Sequence, residues 1–431
     1  MTWAGGVLET GPMRRISQFL STRSTLLRDY ATAVSGSAGR LVFSLVYFIA
    51  LANTLSIAEF GLFATASAAG VMLSRILAFG FISALYRAAT VKPLLLGVFT
   101  GGFLALALLS LPVLAAASYA VWRVFFGGEM MPGVFALLIV AETLLWRPVE
   151  VVIIVNNGMG RFGRAAFLAI LGTALRALAA LLFAFWSTRD LANWAGFYLA
   201  ANALSLVIAA GFFYPRQRIR FRLPLYSRRL ADCIYVAGAE MIFYLQMEMD
   251  KLLVLAIGGP HLAGIYAIIM RLIDLTAIPI RTFTMMLVQR MMRTPEMLSR
   301  LRLKLGIEAG VFVVSTAGLL ALALILRYFP TLLGANVAVV APMVLFALFV
   351  PGLRNLVEYQ AELLFARGQT LLRALNLALL AGLKALLLAT LLLHTTDNAD
   401  MVLLLNAVFA VIYLASSALT YAALRMPARQ F

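Results

Sequence analysis

Residues 215–229, PRQRIRFRLPLYSRR, hold six arginines and no acid in a chain that is 63% hydrophobic and only 12% charged. Hydrocarbon would not accept this stretch, so it reads as a polar linker between two apolar halves of similar length. On either side the sequence is too apolar for a soluble domain. Mean hydropathy is +0.97, and a single soluble core rarely grows past about 250–300 residues. The solvent is therefore a bilayer.

Working outward from the linker, apolar runs close to the roughly 20 residues that cross hydrocarbon fall near 32–54, 60–86, 93–121, 132–158, 164–186 and 191–214. Six more fall near 230–257, 262–287, 305–327, 336–365, 370–393 and 399–424. The expected fold is an all-α polytopic membrane protein of about twelve transmembrane helices, divided into an N-terminal lobe (32–214) and a C-terminal lobe (230–424). An even number of spans per lobe gives both lobes one orientation, so their pseudo-two-fold axis should follow the membrane normal.

The halves also share a pattern. At an offset of about 203, Gly61, Phe63, Ala64 and Arg87 fall on Gly264, Tyr266, Ala267 and Arg290; at about 208, Val149, Glu150, Gly160 and Arg176 fall on Val357, Glu358, Gly368 and Lys384. Leu- and Ala-rich helices match by chance at Val and Ala, but not readily at a buried acid and a buried cation in one register.

Basic residues set the orientation. Arg87, Lys92, Arg161, Arg164, the linker arginines, Arg293, Arg302, Lys304, Arg367 and Arg425 fall on alternate connections, and only Arg123, Arg189 and Arg327 on the others. Both termini are thus expected to be cytoplasmic. The net charge of +17 is accounted for by this topology, with no nucleic-acid partner implied. Residues 1–31 read as an amphipathic segment along the inner membrane surface, and residues 425–431 as a cytoplasmic tail. A lone Cys233 and two distant histidines, His261 and His394, supply no metal-ligand set. Outer connections are short, no Gly-rich phosphate loop is present, and no cofactor is expected. Catalysis is disfavoured accordingly.

Charges inside the spans carry the functional signal, since each costs about 2.5–3.5 kcal/mol on insertion scales. Arg147 with Glu150, and Arg354 with Glu358 and Glu362, lie three or four apart and can pair on their own helices. Arg176 and Lys384 have no acid within helical reach, and Arg40, Arg75 and Arg281 are likewise unpaired locally. Each needs a partner across the bundle or an anionic ligand. On the seventh span Glu240, Tyr244, Glu248 and Lys251 fall within about 80° of arc, with Asp250 beside them; on the eighth, Arg271, Asp274 and Arg281 do the same. Arg40, Arg75, Arg176, Arg271, Arg281 and Lys384 are the expected cationic cavity, while Asp250, Asp274, Glu150 and Glu358 are candidates for coupling or gating.

Leu55-Ser-Ile-Ala-Glu-Phe-Gly-Leu-Phe, Asp250-Lys-Leu-Leu and Ala263-Gly-Ile-Tyr-Ala with Arg271 resemble the bacterial polysaccharide flippases of the multidrug/oligosaccharidyl-lipid/polysaccharide exporter superfamily. The resemblance runs from about residue 30 to 425. It implies a V-shaped pair of lobes in the bacterial inner membrane around a cavity open alternately to each side. A polyprenyl-diphosphate-linked oligosaccharide is the implied substrate, with polysaccharide polymerase and chain-length machinery as partners beside membrane lipids. Departures exist. Related lipid II flippases carry two further helices, and drug exporters of the superfamily place coupling acids in the N-terminal lobe, where the first two spans here offer Arg40 and Arg75. The alternatives are a multidrug or organic-ion exporter of the same superfamily, or a noncatalytic membrane partner in polysaccharide assembly.

Overall fold

Helix follows helix through the computed structural model, which describes residues 39–186, 188–293 and 301–426. The expected N-terminal amphipathic segment, residues 427–431 of the tail and the Arg290 side chain lie outside the described residues. In the first lobe α1 is Gly39–Thr54 and α2 is Ile57–Gly80, prolonged after a break by Ile82–Val91. α3 is Pro93–Phe126; α4 joins Pro132–Val140, a π-helical turn at Ala141–Trp146 and Arg147–Gly158; α5 is Phe162–Trp186 and α6 Leu191–Phe213. In the second lobe the continuous helix Leu223–Arg293 turns at Gly259, φ +76°, into α7 (223–258) and α8 (260–293). α9 is Leu301–Tyr328, α10 is Ala335–Ala347 plus Val350–Ala366 bent by 65°, α11 is Thr370–His394 and α12 is Asn398–Arg425.

Length and apolarity alone single out eight of the described helices as spans, or nine with the bent α10. Three of the twelve expected spans fall outside that count. Only 39–54 of α1 is described, α7 and α8 count as one rod, and α4 carries Glu142, Arg147 and Glu150 in its middle.

The internal repeat is visible in backbone detail. α4 ends with Arg161 N–H bonded to Asn156 O at 2.8 Å and Gly160 N–H to Asn157 O at 3.0 Å; α10 ends with Gln369 N–H on Leu364 O and Gly368 N–H on Phe365 O, both at 2.9 Å. Gly160 and Gly368 have φ of +72° and +77°, so each closes a Schellman cap in the left-handed conformation that glycine adopts without strain. All four bonds obey the same offset of about 208. Glu150 and Glu358 likewise play matching parts: Arg75 of α2 reaches Glu150 at 3.4 Å, and Arg281 of α8 reaches Glu358 at 2.8 Å.

The lobes close on each other at the end away from the arginine-rich connections. A Cβ on Gly61 of α2 would lie 2.4 Å from Gly264 N and Pro260 O, and one on Gly264 of α8 would lie 1.9 Å from Ile57 O. Backbone meets backbone there, at the very pair that the repeat equates. Asn53 and Asn336 lock the seam: Asn53 donates to Leu333 O at 2.8 Å, and Asn336 to Ala52 O at 2.7 Å and Leu55 O at 2.8 Å. Ser56 and Glu59 form a capping box that starts α2 at this seam. At the other end the first turns of α7 pack into the N-terminal lobe, where Tyr226 and Cys233 join a core with Leu77, Phe81 and Leu96.

Gly264→Ala places its methyl against a carbonyl that cannot rotate away, so the seam should open. In a Cys233→Ser background, a cysteine at Ser56 should label with a water-soluble maleimide faster in Gly264→Ala than in the parent. Equal labelling would show that the seam does not depend on this contact.

Candidate functional site

Between the lobes lie two connected hollows of about 760 and 280 Å³ that share Arg40 and Trp146. The larger widens toward the arginine-rich end, past Tyr235, Val236, Thr370 and Arg373; the smaller continues toward the sealed end, past Ser44, Tyr47, Phe60 and Ser67. Seven cations and four carboxylates line the pair. The wall is net positive.

The N-terminal wall rests on the π-helical turn of α4. Such turns shift a helix's register by one residue and often occur at functional sites; here the turn carries Glu142 and Trp146. Glu142, 2% exposed, accepts from Tyr198 Oη at 2.5 Å and Ser67 Oγ at 2.6 Å. Arg176 reaches Glu142 at 3.7 Å, donates to Asn202 Oδ1 at 3.0 and 2.7 Å, and stacks on Trp146 with its Cζ 4.0 Å from the ring centroid. Nearer the open end, Arg147 holds Glu150 at 2.7 Å and Glu240 of α7 at 3.3 Å, while Arg75 lies over Tyr244 at 4.1 Å and reaches Glu150 and Glu240 at 3.4 and 3.8 Å.

On the C-terminal wall, Lys251 pairs with Glu248 at 2.5 Å and Arg271 donates to Ser44 of α1. Asp274 accepts from Arg281 at 3.1 Å and pairs with Arg354 at 3.3 Å. Behind them Lys384 is sealed off from solvent at 3% exposure, paired with Asp250 at 3.1 Å and donating to Gln246 O at 2.9 Å; Tyr266 donates to the same carboxylate at 2.6 Å.

The expected cationic set therefore divides. Arg40, Arg75, Arg176 and Arg271 line the hollows, and Arg281 and Lys384 do not. Four residues unpaired on their own helices find acids on other helices: Arg75, Arg176, Arg281 and Lys384. Hydrocarbon forces such compensation wherever a ligand is not needed. Among the described residues Arg40 and Arg271 have no ion-pair partner. Of the candidate coupling acids, Glu150 and Asp274 line the hollows, Glu358 stands behind them on Arg281, and Asp250 is buried with Lys384. Glu362 pairs with Arg373 of α11 at 2.6 Å rather than with Arg354, and Glu308 accepts from Gln360, Tyr413 and Tyr421, with no ion-pair partner among the described residues. Trp146, Tyr198 and Arg373 were absent from the sequence-derived set. A helical wheel gives no sign of the first two, and Arg373 falls close enough to the Gly368 cap to read as a loop cation.

No protein-family model matches the sequence, and no curated protein matches it. Solved structures match its fold. An inward-facing multidrug resistance MATE family transporter of the MOP superfamily aligns with TM-score 0.65 at 15% identity, over 90% of this chain and 95% of that one. MATE in complex with MaL6 aligns with TM-score 0.61 at 14% identity, over 90% and 94%. A MOP superfamily transporter from Pyrococcus furiosus, described as having a binding pocket of reverse polarity that suggests a different function, aligns with TM-score 0.57 at 14% identity, over 93% and 96%. The chain thus has the two-lobed fold of these transporters.

Removing one member of a buried pair strands the other charge, at a cost of about 3–5 kcal/mol. Lys384→Met should lower the thermal stability of the purified protein by that order, and adding Asp250→Asn should recover most of it. Arg40→Ala and Arg271→Ala should leave stability near the parent value. Melting curves in detergent decide the matter, and equal losses for Lys384→Met and Arg40→Ala would contradict the division.

Proposed function

We propose that this chain is an alternating-access secondary transporter that moves an anionic amphiphile from the cytoplasmic to the outer leaflet of a bacterial inner membrane, with its arginine-rich end cytoplasmic. The substrate class is a polyprenyl-diphosphate-linked oligosaccharide. One observation carries the reading: cations outnumber carboxylates around the hollows, and Arg40 and Arg271 face them with no ion-pair partner among the described residues. A diphosphate would supply the missing negative charge.

The chemistry supports this class. A hydroxyl taken into hydrocarbon without a partner costs about 4–8 kcal/mol on the cyclohexane scale, so a glycan needs a polar path. Serine, threonine and tyrosine side chains along the hollows offer such a path, while the prenyl tail stays in lipid between the lobes. An inside-negative potential favours outward movement of an anion by about 2.3 kcal/mol per charge per 100 mV. The seam at Gly61 and Gly264 fits a state open to the cytoplasm, from which loading would begin.

A second reading has its own support. The similar folds include multidrug MATE transporters, and the buried Glu142 is a carboxylate in the N-terminal lobe, held by Tyr198, Ser67 and Arg176. An ion-coupled exporter of organic anions would use it as the coupling acid. Under that reading Glu142→Gln abolishes the dependence of transport on an imposed proton or sodium gradient; under the first it weakens transport equally with and without the gradient.

In liposomes, the protein should move a polyprenyl-diphosphate glycan faster than the same glycan on an uncharged lipid, and Arg40→Ala with Arg271→Ala should lower that rate by about tenfold or more, as expected when a charge-assisted contact is lost. Equal rates for the charged and neutral carriers would remove the anion reading. Orientation is checked separately: in the Cys233→Ser background, Thr396→Cys should label from outside intact spheroplasts and Ser227→Cys only after permeabilisation.

A further inference from the structure

The linker between the lobes is fastened along α3. Gln217 Oε1 accepts from Gly97 N–H at 2.7 Å, its Nε2 donates to Pro93 O at 3.0 Å, and Arg220 N–H donates to Gly97 O at 3.3 Å. Tyr226 Oη closes the far end by donating to Val98 O at 2.8 Å. A Cβ at Gly97 would come within 2.3 Å of Arg218 O, and one at Gly101 within 2.6 Å of Arg220 O. Glycines one helical turn apart thus admit alternate carbonyls of an extended strand.

That register sorts the side chains. Gln217 and Ile219 turn toward α3, so the alternation of an extended chain puts Arg216, Arg218, Arg220 and Arg222 on the opposite, exposed face. Among the described residues none of these four has an ion-pair partner. Beside the strip a groove of about 720 Å³ opens on the outer surface of the N-terminal lobe, within the roughly 300–1,000 Å³ of ligand pockets. Its walls are mostly apolar, with Leu104 and Leu108 of α3, Val152 of α4 and Leu206 of α6; Thr100 and Tyr214 add hydroxyls, and its charged end is made by Arg216, beside Gln217 of the linker. Leu108 is 71% exposed, so the groove faces lipid and not the central hollows.

We propose that this groove and strip bind one anionic phospholipid, with an acyl chain laid past Leu104 and Leu108 and its phosphate on the arginine face of the linker. Charge complementarity selects the occupant: an apolar trough that ends in arginines at the membrane surface matches a lipid with a negative headgroup and does not match a zwitterionic one. The lipid would hold the linker in the plane of the bilayer, where α3 and the start of α7 meet. This inference is independent of what the central hollows carry.

The test uses the purified full chain in detergent with added phosphatidylglycerol or phosphatidylcholine of identical acyl chains, read by native mass spectrometry. Phosphatidylglycerol should be retained in preference, and Arg216→Gln with Arg218→Gln should reduce its retention by about tenfold. Leu108→Trp, which leaves the charge unchanged and fills the groove, should reduce it as well; Leu104→Trp, one turn away, gives an independent version. Arg161→Gln with Arg164→Gln, an equal loss of charge on another exposed connection, should leave retention unchanged. Melting curves confirm that each variant is folded. Equal retention of the two lipids, equal losses in the linker and control pairs, or full retention in both tryptophan variants would each overturn the proposal.

Discussion

A charge at membrane depth must meet an opposite charge, a ligand or water, because hydrocarbon offers none of them. Most of this architecture can be derived from how each intramembrane charge meets that demand. Within the N-terminal lobe Arg176 meets Glu142, and Arg75 and Arg147 meet Glu150; within the C-terminal lobe Arg281 and Arg354 meet Asp274 and Glu358, and Lys384 meets Asp250. These pairs tie helices inside a lobe. Breaking any one strands a buried charge, so each lobe behaves as a rigid unit. Glu240 is the exception, since it extends from α7 to Arg75 and Arg147 across the hollow. It is also 47% exposed, where a bridge is worth about 1 kcal/mol or less. The ionic link between the lobes is therefore a weak one.

The same demand explains what the sequence disclosed and what it withheld. The repeat and the two lobes were readable, because glycines at Gly160 and Gly368 and acids at Glu150 and Glu358 mark positions along a single chain. Pairings across the bundle were not. Periodicity shows which residues share a helix face, but not which helix that face meets, so Lys384 read as unpaired when its partner lay on α7. Glu142 was not among the residues expected at the site. Its partners come from α2, α5 and α6, and the π-helical turn that aims it leaves no trace in a pattern of period 3.6. Arg40 and Arg271, both expected to be cavity cations, line the hollows between the lobes, and whether they meet a ligand is a matter for the transport assays.

Hydropathy misjudges the helix that matters most. α4 lacks the uniform apolarity of a span because Glu142, Arg147 and Glu150 occupy its centre; Arg147 and Glu150 with Trp146 line the hollows, and Glu142 stands behind them on Arg176. Polarity was concentrated where the cavity needs it and excluded from helices that face lipid. α3 and α9, with a mean hydropathy of 2.3 and 2.4, show the opposite composition.

The closing seam obeys a different rule from the lobes. Gly61 and Gly264 bring backbones into contact, and Asn53 and Asn336 add hydrogen bonds between neutral groups; no ion pair is described there. Neutral groups near the membrane surface exchange protein partners for water with a net change of only about 0.5–1.5 kcal/mol per bond, whereas parting a buried ion pair costs several. A seam of this kind can open while every intralobe bridge stays intact. The fold thus assigns strong, charged interactions to the interior of each lobe and weak, neutral ones to the seam between them, which is the division of forces that the proposed movement of one lobe against the other would require.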